Sequence, residues 1–296
     1  MTRAAVNTPM NIKIAVAQID AAVGDVAKNV RHHVAYVKRA IAKGADVIVF
    51  PELSLTGYSL KDLNWDVAIR VERAGALKEL VKLSRSITII AGGVEEGDNF
   101  GLYNAAFVFE NEELFSGHRK IYPPTYGMFE EMRYFSPGKN VRSFNSKHGK
   151  LGILICEDLW HLSLPYILAS EGADVLVAIA ASPTRMSGSS DQLPSAVINR
   201  EHHKAYARLL SSYVVFSNRV GIEDGVNFWG GSEVIDPSGE VIAAAKLFDE
   251  DLIYADLTDE AIRRARRLSR HFVDDSVEFT VSQLQRLRRG NENKER

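Results

Sequence analysis

Short apolar runs alternate along the chain with stretches of helical period, and that order predicts a βα protein. Ile12 to Ile19 is almost wholly apolar and predicts a strand buried on both faces. From Asn29 to Lys43 the apolar residues Val30, Val34, Val37 and Ile41 recur three or four apart, with charges between them. That is the stripe of an amphipathic helix, and Gly44 is its cap. Asp46 to Phe50 predicts the next strand, stopped by Pro51 because proline cannot continue a central ladder. A second helix is expected over Ala68 to Arg85 and a strand over Ile87 to Gly93. Leu102–Glu110 and Glu113–Arg119 predict a hairpin around Glu110-Asn111-Glu112. Lys120 to Gly138, rich in aromatics and bearing prolines, predicts a long ordered loop with one helical turn. Loops of that length are usually functional.

The pattern then begins again. Lys150 to Ile155 predicts a buried strand that runs into Cys156, followed by a helix over Leu164 to Glu171 and a strand over Asp174 to Ala180. Pro194 to Ser211 is expected to be helical and Tyr213 to Asn218 extended. Ser232–Asp236 and Glu240–Ala245 predict a second hairpin around Pro237-Ser238-Gly239. Thr258 to His271 and Ser282 to Arg289 are expected helices, ahead of a basic, solvated tail. Local sequences echo between the halves: Lys13-Ile-Ala-Val with Lys150-Leu-Gly-Ile, and Gly44-Ala-Asp-Val-Ile-Val with Gly172-Ala-Asp-Val-Leu-Val. Gly93-Val-Glu-Glu-Gly97 echoes Gly221-Ile-Glu-Asp-Gly225, and the hairpin before Lys120 echoes the one before Lys246. Strand, helix, strand, helix, strand, hairpin, written twice, predicts one α/β domain of two pseudo-symmetric halves. Its two sheets would face each other with helices outside. The expected boundaries are a flexible N-terminus over 1–11, the domain over 12–257 and a C-terminal helical extension over 258–296.

Composition narrows the function classes. The 296 residues are 46% hydrophobic and 25% charged, an ordinary globular balance. A net charge of −2 gives no reason to expect a nucleic acid or an anionic membrane as partner. Apolar runs such as Val175 to Ala181 are far shorter than a membrane span, and residues 1–11 lack the apolar core of a signal peptide. A single cysteine excludes an intrachain disulfide and fits a reducing cytosol, so a soluble cytoplasmic protein is expected. The eight histidines show no HExxH or related metal spacing.

Three residues carry candidate chemistry. Cys156 ends a buried strand, where a rigid element aims a side chain and the following loop leaves it reachable. A lone cysteine is more often a small buried hydrophobe, so it needs partners. Glu52 stands at a like strand end in the first half, and Lys120 opens the long loop. A thiol, a carboxylate and an ammonium are what acyl transfer from an amide requires. The thiol must lose its proton, a base must take it, and the tetrahedral oxyanion needs a donor.

Phe50-Pro-Glu52-Leu-Ser-Leu-Thr-Gly57-Tyr58, His118-Arg-Lys120-Ile-Tyr and Gly152-Ile-Leu-Ile-Cys156-Glu-Asp-Leu-Trp160 together resemble the nitrilase, or carbon–nitrogen hydrolase, superfamily. The resemblance spans residues 12–257 and implies a four-layer αββα sandwich. It implies Glu52 as general base, Lys120 as oxyanion stabiliser and Cys156 as nucleophile, with no metal or organic cofactor. The backbone N–H of Glu157 would share the oxyanion, and Asp158 would stabilise the following turn. Glu131, seven residues before the glycine of Pro137-Gly138, matches a second family glutamate that orients the lysine. The segments Ile155-Cys-Glu-Asp-Leu-Trp160, Tyr126-Gly-Met-Phe-Glu-Glu131 and Ala181-Ser-Pro-Thr184 look most like the glutamine-hydrolysing domain of NAD synthetases. By that likeness Tyr126, Trp160 and Ser182 would line the pocket, with core packing an equal account of Trp160. No SGGxD-like phosphate loop appears in the sequence. The expectation is therefore a stand-alone amidase acting on a small carboxamide, or a subunit supplying ammonia to a separate synthetase. A nitrilase acting on a C≡N group and a non-catalytic binding protein of this fold stay open as alternatives. The resemblance also implies a homodimer or larger homo-oligomer, with Leu164 to Glu171 and the C-terminal helices as contacts.

Overall fold

The computed structural model describes residues 10–184 and 193–292. Most of the expected flexible N-terminus and the last residues of the basic tail lie outside the described residues. The strands of the first half are β1 (Asn11–Gln18), β2 (Val47–Val49), β3 (Thr88–Glu96), β4 (Leu102–Glu110) and β5 (Glu113–Arg119). The second half contributes β6 (Phe144–Ser146), β7 (Gly149–Ile155), β8 (Val175–Ala180), β9 (Pro183–Thr184) and β10 (Tyr213–Asn218). It continues with β11 (Val220–Glu223), β12 (Val226–Trp229), β13 (Glu233–Ile235), β14 (Val241–Ala244) and β15 (Asp251–Thr258).

Strand alternation decides the layers. Ile12, Ile14 and Val16 of β1, with Val47 and Val49 of β2, point into a core shared with Leu151, Ile153, Val175, Val177 and Val215 of the other half. The intervening Ala15, Ala17 and Ile48 point the other way, onto Val30, Val34 and Val37 of helix α1 (Val26–Ala42). Period-two side chains on central strands thus feed two cores at once, which is why these runs read as continuously apolar. After α2 (Asn64–Val67), helix α3 (Lys78–Leu83) adds Leu80 to the same outer layer. After α4 (Glu131–Tyr134), α5 (Ser163–Ser170) and α6 (Pro194–Leu210) cover the second sheet through Leu164, Leu168, Tyr206 and Ala207. The result is four layers, α-β-β-α. Helices α7 (Asp259–Leu268) and α8 (Val277–Glu292) follow.

The first sheet runs β15-β1-β2-β3-β4-β5 and the second, read from its far end, β6-β7-β8-β10-β13-β14. Each has three parallel central strands, an antiparallel hairpin on one side and one antiparallel edge strand on the other. This is the duplication expected from the echoes. The edge strand β15 comes from the end of the second half and pairs with β1 of the first from Asn11↔Thr258 to Gln18↔Asp251. The halves are therefore tied together along one strand as well as through the shared core. Among the described residues, no helix is long and apolar enough to cross a membrane.

Three expectations are corrected. Ala68 to Arg85 is not one helix: Ile69 N–H donates to Val94 O (2.9 Å) and Glu96 N–H to Ile69 O (3.0 Å), so this stretch bridges β3. Only α3 survives as α-helix, after 3₁₀ turns at Val71–Arg73 and Gly75–Leu77, because satisfying the end of β3 outweighs local propensity. Strands β6, β9, β11, β12 and β15 were not expected. They are short or half-solvated and lack the continuous apolar signature of a central strand. The echo at Gly221 to Gly225 extends β10 but leaves the sheet, since Gly230 and Gly231, both at positive φ, turn the returning strand. Strands β11, β12 and β9 form a separate three-stranded sheet.

Candidate active site

Glu52 and Cys156 each follow a parallel strand at a left-handed turn: φ is +50° at Leu53 and +48° at Cys156. A non-glycine residue there costs on the order of 1 kcal/mol, so packing must hold both turns. The Glu52 turn lies across β3, where Leu55 N–H donates to Gly92 O (2.9 Å). A Cβ on Gly92 would sit 2.3 Å from Leu53 N and 2.7 Å from Glu52 Cα, so only glycine lets the loop approach this closely. Lys120 follows β5. Its N–H donates to Asn104 O (2.9 Å) and its carbonyl accepts from Gly138 N–H (2.7 Å).

The side chains converge from these elements. Lys120 Nζ donates to Glu52 Oε1 and to Glu131 Oε1, each at 2.8 Å, and all three residues are buried. Asn104 Nδ2 donates to the same Glu52 oxygen (2.7 Å), and Ala181 N–H at the end of β8 donates to Glu52 Oε2 (2.8 Å). Tyr58 OH donates to Glu131 Oε1 (2.7 Å). Glu52 is thus fixed from the first half by Asn104 and Lys120 and from the second by Ala181. Removing one member of such a buried set leaves an uncompensated charge, a loss of about 3–5 kcal/mol.

Electrostatics assign resting protonation states. Burial works against the charge of Lys120, but Glu131 and Glu52 outweigh it and hold its pKa well above the usual lysine value. It stays an ammonium. Burial pushes Glu131 up; Lys120 opposes and Glu52 adds to the rise. Burial, then the Glu52 carboxylate, push the Cys156 thiol well above its ordinary value, against the pull of Lys120. Cys156 is a neutral thiol near pH 7, so attack needs a base that takes the proton as the S–C bond forms.

The remaining expected residues surround this centre. Cys156 to Trp160 is a 3₁₀ helix, which puts Glu157 in its first turn. Its carboxylate accepts from Tyr126 OH (2.7 Å), and burial with this bond pushes the Tyr126 phenol up to about 12. Tyr126 borders a cavity of about 350 Å³ with Phe129, Pro183, Thr184 and Pro194. Ser182 N–H donates to Asn218 Oδ1 (2.8 Å). Trp160 is 47% exposed and packs edge-on against His202, so its indole is not core. Among the described residues no cluster of three or more His, Cys, Asp or Glu is placed to hold a metal ion.

Asn104, Tyr58 and the Ala181 N–H were missed as site groups. Asn104 left one trace, a carboxamide inside the apolar run Leu102 to Phe109. The Ala181 N–H left none, because every residue but proline has one.

Compared with known proteins, residues 13–267 match the family Carbon-nitrogen hydrolase. The chain belongs to the carbon–nitrogen hydrolase family. Among curated relatives of this hydrolase, the glutamine-dependent NAD(+) synthetase of Thermotoga maritima is 32% identical over 257 residues, 85% of this chain and 43% of the relative. That of Acinetobacter baylyi is 29% identical over 253 residues, 86% of this chain and 45% of the relative. The hydrolase thus spans less than half the length of the curated relatives it matches. Among solved structures, glutamine-dependent NAD+ synthetase from Acinetobacter baumannii superposes with a TM-score of 0.74 at 27% identity, covering 85% of this chain and 46% of that one. A carbon-nitrogen hydrolase from Helicobacter pylori superposes at 0.81 with 23% identity, over 93% and 98% of the two chains. That likeness shows the four-layer fold.

Proposed function

We propose that this hydrolase cleaves the C–N bond of a small carboxamide through a thioester on Cys156. The observation that carries the reading is the buried ammonium of Lys120, held at 2.8 Å by both Glu52 and Glu131. Glu52 and Lys120 lie near enough to Cys156 for their charges to shift its thiol in opposite directions. Cys156 Sγ attacks the carbonyl carbon while its proton passes to Glu52. Lys120 and the Glu157 backbone N–H take the oxyanion, support worth about 3–4 kcal/mol. Glu52 returns the proton to the nitrogen as the C–N bond breaks, and ammonia leaves. Glu52 then takes a proton from water, whose oxygen attacks the thioester; the acid departs and the thiol is restored. Glu131 and Asn104 orient Lys120 and Glu52.

A second reading, glutamine as the amide with the ammonia passed to a synthetase, is favoured by the relatives that are glutamine-dependent NAD(+) synthetases. A panel of glutamine, short aliphatic amides, carbamoyl amines and nitriles, assayed for ammonia, separates the readings. Cys156→Ala is expected to abolish the signal. Turnover of nitriles alone selects the nitrilase reading, and no turnover with any substrate supports a binding protein. Mass spectrometry after a substrate soak is expected to place an acyl adduct on Cys156; an adduct elsewhere refutes the mechanism.

The assembly proposed is a homodimer or larger. Leu162, Ile167 and Leu209 are exposed beside Val281 and Leu284 of α8, around an apolar groove of about 840 Å³. Apolar surface gathered in this way marks an interaction site. Light scattering at micromolar concentration tests it, and a monomeric mass refutes it.

A further inference from the structure

Beside the site lies a buried carboxylate that the proposed reaction does not use. Asp158 and His118 have side chains sealed from solvent. Asp158 Oδ1 accepts from Ile121 N–H (3.0 Å) and Tyr122 N–H (3.1 Å), the two residues after Lys120. Its Oδ2 accepts from His118 Nε2–H (2.8 Å), two residues before Lys120, and from Ile155 N–H (3.2 Å), the residue before Cys156. An ionised carboxylate offers about four lone-pair positions, and four donors from two elements fill them.

Three of those donors belong to residues that flank Lys120 in the chain and one to the residue before Cys156. Lys120 comes from the first sheet and Cys156 from the second. Asp158 is therefore a bond between the sheets at the point where their reactive groups meet. Hydrophobic packing between sheets is non-directional and fixes spacing only to the tolerance of its side chains. Four hydrogen bonds of 2.8–3.2 Å to one carboxylate are directional. A polar group buried this deeply is costly unless fully satisfied, and here every lone pair has a donor.

We propose that Asp158, backed by His118, is a positioning residue that holds Lys120 in register with Cys156. This deepens the proposed thioester chemistry and rests on that assignment of the two residues. The bond is indifferent to the substrate, so it can be tested without one. In Asp158→Asn one oxygen becomes an NH₂ group that faces N–H donors, and the clamp opens on one side.

The experiment is the rate of Cys156 alkylation by iodoacetamide on the folded full chain, followed by intact mass. It needs no amide turnover, so failure of the hydrolase reading leaves it intact. Removing a neighbouring negative charge would by itself favour the thiolate and speed alkylation. Displacing Lys120 withdraws the cation that favours the thiolate, and the expected result for Asp158→Asn is a slowing of about tenfold. An unchanged or faster rate overturns the proposal. Should Asp158→Asn fail to fold, the pair His118→Gln and His118→Leu decides. Glutamine restores a donor and is expected to keep the rate within about twofold, whereas leucine slows it as Asp158→Asn does. Equal rates for the two His118 variants overturn the proposal. With a turned-over amide, Asp158→Asn is expected to lower kcat about tenfold or more at nearly unchanged KM.

Discussion

The two halves of the molecule build the same six-stranded frame and put different chemistry at its strand ends. In the first half Glu52 follows β2 and Lys120 follows β5, both buried. In the second, Ala181 follows β8, and the lysine after the matching hairpin, Lys246, is exposed. Where β7 leads into Cys156, β1 leads toward Ile19, a core residue. The matching groups still take part through their backbones. Ala181 N–H holds Glu52, and the Lys246 carbonyl accepts from Gln18 Nε2 (2.6 Å). Duplication thus supplies rigid strand ends on both sheets. Both halves bury opposite charges after a strand, since Arg219, next after β10, pairs with Glu223 (2.7 Å). The first half differs in burying an ammonium between two carboxylates, Glu52 and Glu131, near Cys156.

The strongest test of this contrast sets the two lysines side by side. Lys120→Met leaves Glu52 and Glu131 buried without their cation and is expected to cost about 3–5 kcal/mol in urea unfolding. Lys246→Met is expected to stay within about 0.5 kcal/mol. Equal losses would mean that position in the frame, not burial, governs the lysines. Next comes Glu52→Gln, which keeps the shape and the Ala181 bond but removes the proposed base. Ammonia release is expected to fall by about 10²–10⁴, with the fold retained by circular dichroism. Asn104→Ala removes a donor shared by Glu52 and Glu131 (2.7 and 3.4 Å) and is expected to cost about 1–3 kcal/mol, with a smaller loss of rate than Glu52→Gln.

The smallest effect near neutral pH compares two buried histidines, one under each sheet. His203 of α6 pairs with Glu233 (2.8 Å). His33 of α1 has only neutral partners, Asn29 O (2.7 Å) and Ser54 Oγ (3.0 Å), and burial pushes its pKa down to about 3. Below the ordinary histidine value, about 6.5, the unfolded chain binds a proton that folded His33 refuses. Its contribution is therefore present in full above that value and is lost as pH falls toward 3. The slope is at most about 1.4 kcal/mol per pH unit. Thermal melts between about pH 4 and 7 are expected to show a shallower acid limb for His33→Gln; an identical limb would remove His33 from the account.

Much of this was legible in the residues because it is local. Central strands announce themselves by Val and Ile runs, α1 by its stripe, and the halves by Gly-Ala-Asp-Val repeated. The Ala68 to Arg85 stretch misled because Ile69 answers to β3 and not to its neighbours. The C-terminal edge strand β15 was invisible because Asp251 and Asp256 interrupt a half-solvated run. In the site, the motifs marked Glu52, Lys120, Glu131 and Cys156, yet no motif pairs Asn104 with Glu52 or Asp158 with the residues around Lys120.

The sequence by itself determined the central strands and the long helices, the twofold frame and which residues have side chains able to carry acyl-transfer chemistry. These follow from periodicity, turn residues and functional groups, which are properties of short segments. Only the tertiary structure decided which charges meet out of water. The neutral thiol of Cys156, the fixed ammonium of Lys120 and the four-fold satisfied carboxylate of Asp158 all depend on packing one sheet against the other. Desolvation and pairing are set by neighbours in space, and those neighbours come from strands far apart along the chain.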